Sequence, residues 1–139
     1  MNWQRVSTYK NLDLAQFQEL ARKLKKDFGS KAVIALSGPM AAGKTEFVKT
    51  ISDEASSPTF AIHQSYGDIE HLDLYRLTSE DELESTGFWD LFLHGAGLIF
   101  IEWPEKMDLK HIPISWPLWK IVIEKESESL RKLEVFIRL

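Results

Sequence analysis

The strongest chemical signal in the sequence is a run of eight residues that fits the pattern G-x-x-x-x-G-K-T. Its members are Gly38, Pro39, Met40, Ala41, Ala42, Gly43, Lys44 and Thr45. Glycines let a backbone wrap closely around phosphate, and the amides at the start of a helix point toward it. The lysine of such a loop reaches the β- and γ-phosphates, and the threonine hydroxyl binds Mg²⁺. The run therefore predicts a P-loop that holds ATP and Mg²⁺ through residues Gly38 to Glu46, with Lys44 acting on the phosphates and Thr45 on the metal.

Two acidic residues are candidates for holding the hydrated Mg²⁺ that such a loop requires. A carboxylate at the end of a neighbouring strand does this, either directly or through water. Glu102 follows a buried apolar run at 98–101, and Asp73 lies in a strand-like segment at 71–75. Both positions fit, and spacing alone leaves open which of the two contacts the metal.

A P-loop needs a buried strand before it and a helix after it, and the sequence supplies both. Residues 31–37 are apolar without alternation, as expected of a strand that is buried on both faces. The segment after Gly43 is predicted to be helical from Lys44 to about Asp53. Because strand, loop and helix agree, the motif is a strong signal.

The elements that must surround this core can also be predicted. Helical spacing of apolar residues predicts a helix over residues 12–28, which Asn11 or Asp13 can cap. Gly29 is suited to end this helix. The pattern Ser79-x-x-Glu82 matches a capping box that opens a short helix. Further strands are predicted at 60–66, 69–75, 98–101, 118–124 and 133–138.

Together these elements predict an α/β fold in one domain over residues 1–139. We expect a three-layer P-loop NTPase domain with a mixed central sheet. The last two strands are expected to form an antiparallel C-terminal extension. The P-loop and Glu102 would then face one crevice at the carboxyl ends of the central strands, where open α/β sheets bind ligands.

Composition narrows the class of protein. The chain has 17 basic and 21 acidic residues, a net charge of −4, and no cysteine. Disulfide scaffolds and thiolate zinc sites are therefore excluded. No apolar run approaches the length of a membrane span, and the polar N-terminal residues are unlike a secretion signal. The four histidines show no metal-ligand spacing. We expect a cytoplasmic protein, monomeric when isolated, without a membrane partner.

Four sequence blocks in this order resemble the TsaE (YjeE) family of bacterial tRNA-modification ATPases. They are Gly38 to Thr45, Ser57-Pro58-Thr59-Phe60, His71-Leu72-Asp73-Leu74-Tyr75-Arg76-Leu77 and Ile101-Glu102-Trp103-Pro104-Glu105. The chain departs from the usual family pattern at Ala41, where glycine is common, and in two short links, from Thr45 to Ser57 and from Tyr66 to His71. The last three blocks together are far more specific than a P-loop alone.

The resemblance implies an ATPase that supports the formation of threonylcarbamoyladenosine beside the anticodon of tRNA. In that family the partners are TsaB and TsaD, and TsaD performs the transfer. Carried over, Thr59 would be a switch residue that faces the γ-phosphate, and Glu102 would be the Mg²⁺-linked acid. Asp73 would be a second acid near the metal or the attacking water, and Trp103 would line the nucleotide region. The role of Tyr75-Arg76, an arginine-finger-like element or ordinary packing, stays open.

The charge distribution bears on partners. Between Ile51 and Asp90 the chain has ten acidic residues and one basic residue, Arg76. Nonspecific affinity for nucleic acid comes mostly from lysine and arginine, so this segment favours a basic protein surface and only an indirect link to tRNA.

Two other functions share the P-loop. A small metabolite or nucleoside kinase needs cationic lid residues, but only Arg76, Lys106 and Lys110 lie between Ile51 and Ser115. A nucleotide-dependent binding module with slow turnover shares every motif, so the sequence does not separate it from an ATPase.

Overall fold

A computed structural model describes residues 1–52, 62–93 and 97–139. The described strands are β1 (Trp3–Leu12), β2 (Ala32–Ser37), β3 (His63–Tyr66), β4 (Ile69–Asp73), β5 (Leu98–Glu102), β6 (Leu118–Lys125) and β7 (Arg131–Arg138). The described helices are α1 (Leu14–Phe28), α2 (Lys44–Ile51) and α3 (Glu82–Ser85), with 3₁₀ turns at Phe88–Phe92, Pro104–Lys106 and Leu109–His111. No helix in these ranges is long and apolar enough to cross a membrane.

The strands form one seven-stranded sheet in the order β1-β7-β6-β2-β5-β4-β3. Strand β2 pairs in parallel with β6 and β5, and β5 pairs in parallel with β4. The outer pairs, β1 with β7, β6 with β7 and β3 with β4, are antiparallel. The predicted mixed sheet and the antiparallel pairing of the last two strands are therefore confirmed.

The centre of the sheet is buried on both faces, as the unbroken apolar run predicts. All five residues from Ala32 to Leu36 have no exposed surface. Ile34 packs on the face covered by α1 and α2. Val33 packs on the opposite face, beneath Leu83 of α3 and Phe88 of the first 3₁₀ turn. Apolar burial on both faces fixes β2 in place, so the loop that follows it has a rigid base.

The first strand is an element that the sequence analysis missed. Strand β1 has ten residues, of which one, Leu12, is buried. It lies at the edge of the sheet with β7 as its neighbour, and its register against β7 is interrupted by irregularities after Arg5 and Tyr9. A mostly exposed edge strand carries no clear apolar alternation, so nothing in the local pattern marks it.

The predicted first helix forms, but it begins at Leu14 rather than at residue 12 because Leu12 belongs to β1. Asp13 is the cap: its Oδ1 accepts from the Gln16 amide at 2.8 Å, and the Gln16 side chain accepts from the Asp13 amide at 2.9 Å. The helix ends before Gly29, whose φ of 72° is one that glycine adopts readily.

Several predicted boundaries also move. Helix α2 ends at Ile51 rather than near Asp53, and Asp53 lies outside the described residues. The predicted strand at 60–66 is described only from His63, since 60 and 61 lie outside the described residues and 62 is not in a strand. The strand predicted at 69–75 ends at Asp73, after which the Leu74 amide donates to the Glu102 carbonyl.

The strands of the C-terminal hairpin are longer than predicted. They extend to Lys125 and begin at Arg131, because backbone pairing continues into the polar segment near the turn. The predicted capping box is only half formed: Glu82 accepts from the Ser79 amide at 3.3 Å, but the helix begins at Glu82 itself.

Candidate functional site

The loop from Gly38 to Thr45 connects the end of β2 to the start of α2, in the arrangement the sequence predicts. A side chain at Gly38 would bring its Cβ within 2.4 Å of the Ile123 carbonyl oxygen, so this position requires glycine. Gly43 has a φ of 122°, and a Cβ there would come within 3.2 Å of the Phe17 ring. Both signature glycines are thus needed to keep the loop close to the sheet and to α1.

The middle of the loop is strained and is held from outside. Ala41 has a φ of 65°, in the left-handed region that costs a non-glycine residue about 1–2 kcal/mol. Arg131 on β7 donates from Nε to the Ala42 carbonyl at 2.8 Å and from a guanidinium nitrogen to the Ala41 carbonyl at 3.5 Å. The sequence analysis did not select Arg131, because its contact with the loop spans 89 residues.

Lys44 has an exposed fraction of 5%, and its ammonium group has two close neighbours. Its Nζ donates to the Gly38 carbonyl at 2.7 Å and lies 3.5 Å from the centroid of the Trp103 ring. Burial lowers the pKa of Lys44, while the negative charges of Glu102, Glu105 and Asp73 oppose that shift. The lysine is therefore a desolvated cation at the loop, where an anionic ligand would gain most from it.

The two candidate carboxylates lie side by side at the carboxyl ends of parallel strands. Glu102 is in register with Leu36 on one side and with Asp73 on the other. The Thr45 hydroxyl donates to the two carboxylate oxygens of Glu102, at 3.2 and 3.1 Å. The structure thus brings together Thr45 and Glu102, which the sequence analysis selects as metal-binding residues. Hydroxyl and carboxylate oxygens are the hard donors that suit Mg²⁺.

Asp73 is half-buried, and its environment disfavours its charged form. Burial raises the pKa of Asp73, and the charge of Glu102 raises it further. A hydrogen bond from the Tyr75 amide, at 3.0 Å, and the nearby His71 and Lys44 oppose the shift. A carboxylate with a raised pKa at the edge of a cleft is a common feature of sites that handle protons.

Trp103 follows Glu102 directly and completes this side of the site. Its φ of 58° is unusual for a bulky residue, and strain of this kind is often found at functional sites. Its ring lies 5.0 Å from the ring of Tyr75, centroid to centroid. Arg76 is exposed.

These residues surround a cleft of about 810 Å³. Its lining includes the following residues singled out by the sequence analysis: Met40, Ala41, Ala42, Gly43, Lys44, Thr45, Glu46, Asp73, Glu102 and Trp103. Gly38 and Pro39 support the loop from behind, where the Pro39 carbonyl accepts from the Ala42 amide at 3.2 Å. Thr59 lies outside the described residues, so its role stays a prediction.

The rest of the cleft lining comes from elements that carry no motif. Leu12, Leu14 and Phe17 line it from the β1–α1 junction, and Glu128 and Ser129 line it from the turn between β6 and β7. Leu12, Leu14 and Phe17 give the lining apolar surface, whereas Lys44, Asp73 and Glu102 give it charged groups. A ligand with a flat apolar part and a strongly anionic part fits such a cleft.

His71 belongs to a block that carries the family resemblance, but the sequence analysis gave its side chain no role and found no metal-ligand spacing for it. In the structure His71 has no exposed surface, and its Nε2 lies 2.6 Å from an Oε of Glu102. No group of three or more His, Cys, Asp or Glu residues able to hold a metal occurs within 1–52, 62–93 and 97–139. The overlooked signal was that His71 lies two residues before Asp73, which puts both on the same face of β4.

Comparisons with known proteins agree on one family. The family model described as "Threonylcarbamoyl adenosine biosynthesis protein TsaE" matches residues 12–133. The tRNA threonylcarbamoyladenosine biosynthesis protein TsaE of Bacillus subtilis is 38% identical over 73% of this chain and 66% of its own length. The protein of the same name from Rickettsia felis is 34% identical over 82% of this chain and 70% of its own length. The chain thus spans about two thirds of the length of these relatives.

A solved structure shares the fold. The crystal structure of YdiB from Bacillus subtilis superposes with a TM-score of 0.71 and covers 99% of this chain and 88% of its own. The sequence identity of that pair is 22%, so the likeness concerns the fold alone.

Proposed function

The chain belongs to the TsaE family, and from that membership we propose that it is a P-loop ATPase which hydrolyses ATP with Mg²⁺ to support threonylcarbamoylation of tRNA. The proposal includes a single three-layer P-loop NTPase domain over residues 1–139. Support comes from the family match over residues 12–133 and from the loop between β2 and α2.

One observation carries the proposal: Thr45 and Glu102 meet beside the loop. The hydroxyl lies 3.1 and 3.2 Å from the carboxylate oxygens, although the two residues are 57 positions apart in the chain. A glycine turn that only changed chain direction would not need a buried acid at the end of the adjacent strand. A site for a nucleotide and its metal needs one, because the metal must be held next to the phosphates.

The roles of the individual residues follow from their chemistry. The loop amides and the Lys44 ammonium would bind the phosphates, and Thr45 and Glu102 would hold Mg²⁺. When bound, Mg²⁺ supplies positive charge that stabilises the negative charge developing on the phosphate oxygens. Asp73, with its raised pKa, would orient the attacking water through its carboxylate. Thr59 is proposed to face the γ-phosphate.

The apolar and the charged side chains of the cleft lining match the two parts of ATP. Leu14 and Met40 line the cleft and have exposed fractions of 60% and 63%. Such apolar side chains would contact the adenine and exclude water from one of its faces. Trp103, which lies over Lys44, would line the phosphate end.

The partners in this proposal are TsaB and TsaD, with TsaD performing the transfer to adenosine. The acidic segment between Ile51 and Asp90, with Arg76 as its one base, supports docking against a basic protein surface. Contact with tRNA would then be indirect. The proposed activity would take place in the cytoplasm, where tRNA is modified. The isolated chain would be a monomer.

Phosphate release tests this proposal. Purified protein is mixed with ATP and Mg²⁺, with and without TsaB and TsaD, and steady-state release is compared with that of a Lys44→Ala variant. We expect Mg²⁺-dependent release that the partners increase, together with threonylcarbamoyladenosine in the tRNA nucleosides when all components are present. Tight nucleotide binding without turnover under every condition would favour the nucleotide-dependent binding module instead. Phosphate transfer to an added metabolite would favour a kinase.

A further inference from the structure

His71 lies on β4, between β5 and the edge strand β3, and carries a polar contact to the candidate metal-binding acid. The imidazole has no exposed surface, and Glu102 has an exposed fraction of 3%. The distance from Nε2 to the nearer Oε of Glu102 is 2.6 Å. A carboxylate accepts hydrogen bonds and donates none, so the hydrogen is carried by Nε2, which donates it.

Glu102 is therefore held from two directions. The Thr45 hydroxyl on α2 donates to it from one side, and the imidazole on β4 donates from the other. The sheet register explains the second contact: Asp73 pairs with Glu102, so His71 pairs with Phe100 and lies on the same face as both acids. At this degree of burial water does not readily replace a lost donor, so without His71 the Glu102 carboxylate would keep only the Thr45 hydroxyl as a donor.

A histidine at such a position is costly if it only fills space. Its Nδ1 is buried without a hydrogen-bond partner among the described residues. An unpaired buried polar atom destabilises a fold, and a leucine of similar volume would avoid that penalty. Retention of a polar ring here makes sense if the Nε2 hydrogen bond serves the site.

We propose that His71 is a positioning residue that fixes the carboxylate of Glu102 toward Thr45, so that these oxygens are ready to bind Mg²⁺. The proposal rests on the proposed function, because it assigns Glu102 to the metal. His71 acts through Glu102 and does not itself contact the nucleotide.

Two variants separate positioning from packing. His71→Leu removes the donor and keeps the apolar volume, whereas His71→Gln places an amide N–H near the position of Nε2. The readouts are the Mg²⁺ concentration needed for full ADP affinity and the melting temperature. We expect His71→Leu to raise the Mg²⁺ concentration needed for full ADP affinity about 10- to 100-fold, as removal of an outer-shell partner does. We expect His71→Gln to need a Mg²⁺ concentration close to that of the parent chain, even if this variant melts at a lower temperature than His71→Leu.

A matched control lies elsewhere on the same hairpin. His63 on β3 also bonds a carboxylate, with its Nε2 2.5 Å from an Oε of Glu70, and neither residue lines the cleft. His63→Leu should therefore leave the Mg²⁺ dependence of ADP binding unchanged. An equal loss in His63→Leu and His71→Leu would mean that the effect is general destabilisation, which overturns the inference.

Glu102→Gln tells the two levels of the proposal apart. If Glu102→Gln raises the Mg²⁺ concentration needed for full ADP affinity and His71→Leu does not, the positioning role fails and the proposed function stands. If Glu102→Gln leaves that Mg²⁺ concentration unchanged, the assignment of Glu102 to the metal itself fails. Should His71→Leu not fold, nuclear magnetic resonance of the unaltered protein decides: a solvent-protected proton on Nε2 of His71, lost in Glu102→Ala, is expected. A proton on Nδ1 alone would overturn the inference.

Discussion

The two sides of the cleft are built in different ways. The phosphate loop is local, because eight consecutive residues join one strand to the next helix. The groups proposed to bind phosphate there are mostly backbone amides. The opposite side consists of the side chains of Glu102 and Asp73 from two strands, supported from within the sheet by His71, whose bond to Glu102 spans 31 residues. The loop takes its shape mainly from its own glycines, with Arg131 as an outside support, whereas the acid side depends on the register of β4 with β5.

This difference predicts that the two sides fail in different ways. Changes in the loop should affect nucleotide binding with or without metal, because the loop contacts phosphate. Changes on the acid side should affect only the part of the affinity that Mg²⁺ adds. The four variants below test this division, from the largest expected effect to the smallest.

The largest effect is expected for Lys44→Ala. Loss of a preorganised donor to a developing charge typically lowers turnover by about 10²–10³-fold. The melting temperature should change little, because removal of a desolvated ammonium offsets the loss of its hydrogen bond to the Gly38 carbonyl. Steady-state phosphate release and thermal unfolding measure the two effects. Lys26→Ala, an exposed position on α1, is the control. Full turnover in Lys44→Ala would break the assignment of the loop.

Glu102→Gln should have the next largest effect, and it belongs to the acid side. We expect the Mg²⁺ concentration that supports half-maximal phosphate release to rise about 10- to 100-fold, since a carboxylate that orients the metal is lost. Asp73→Asn is the comparison, and it should lower turnover with less change in Mg²⁺ dependence. The reverse outcome would show that the roles of the two acids are exchanged.

Asp73→Asn should also change stability in a pH-dependent way. Because the pKa of Asp73 is raised in the folded state above its ordinary value of 3.8, the folded chain binds this proton more tightly than the unfolded chain. Its contribution to stability is therefore present at low pH and is lost as the pH rises through the folded pKa. The Asn variant should melt higher than the parent at pH 7, and the difference should shrink toward pH 3. A variant that melts lower at pH 7 would contradict this.

The smallest expected effect concerns strain within the loop. Ala41→Gly relieves the left-handed φ of 65° and should raise the free energy of unfolding by up to about 1 kcal/mol. Ala42→Gly is the matched control, because Ala42 is buried and has no positive φ, so that change should be destabilising. Urea unfolding of both variants measures the difference. Equal losses in the two variants would mean that the Ala41 conformation is not strained.

The loop side of the site could be predicted from sequence because its motif is local. Glycines at fixed offsets and an unbroken apolar strand identify the loop without knowledge of the rest of the chain. Glu102 could be predicted as well, since it ends a buried strand. The bounds of α2 and β2 were close for the same reason.

The other elements depend on partners that are distant in sequence. β1 exists because β7 pairs with it, and only Leu12 of its ten residues is buried. Arg131 acts on the loop across 89 residues, and His71 meets Glu102 only when β4 and β5 are in register. Such contacts leave no periodic signal in either segment, so the sequence gives no local warning of them.

The measurement that most directly tests the division between the two sides is calorimetric titration of ADP, with and without Mg²⁺, into the parent chain, Lys44→Ala and Glu102→Gln. The account predicts that Lys44→Ala weakens ADP binding under both conditions. It predicts that Glu102→Gln binds ADP as the parent does without Mg²⁺ and loses the gain that Mg²⁺ brings. The same loss in both variants under both conditions, or no ADP binding by the parent chain, would contradict it.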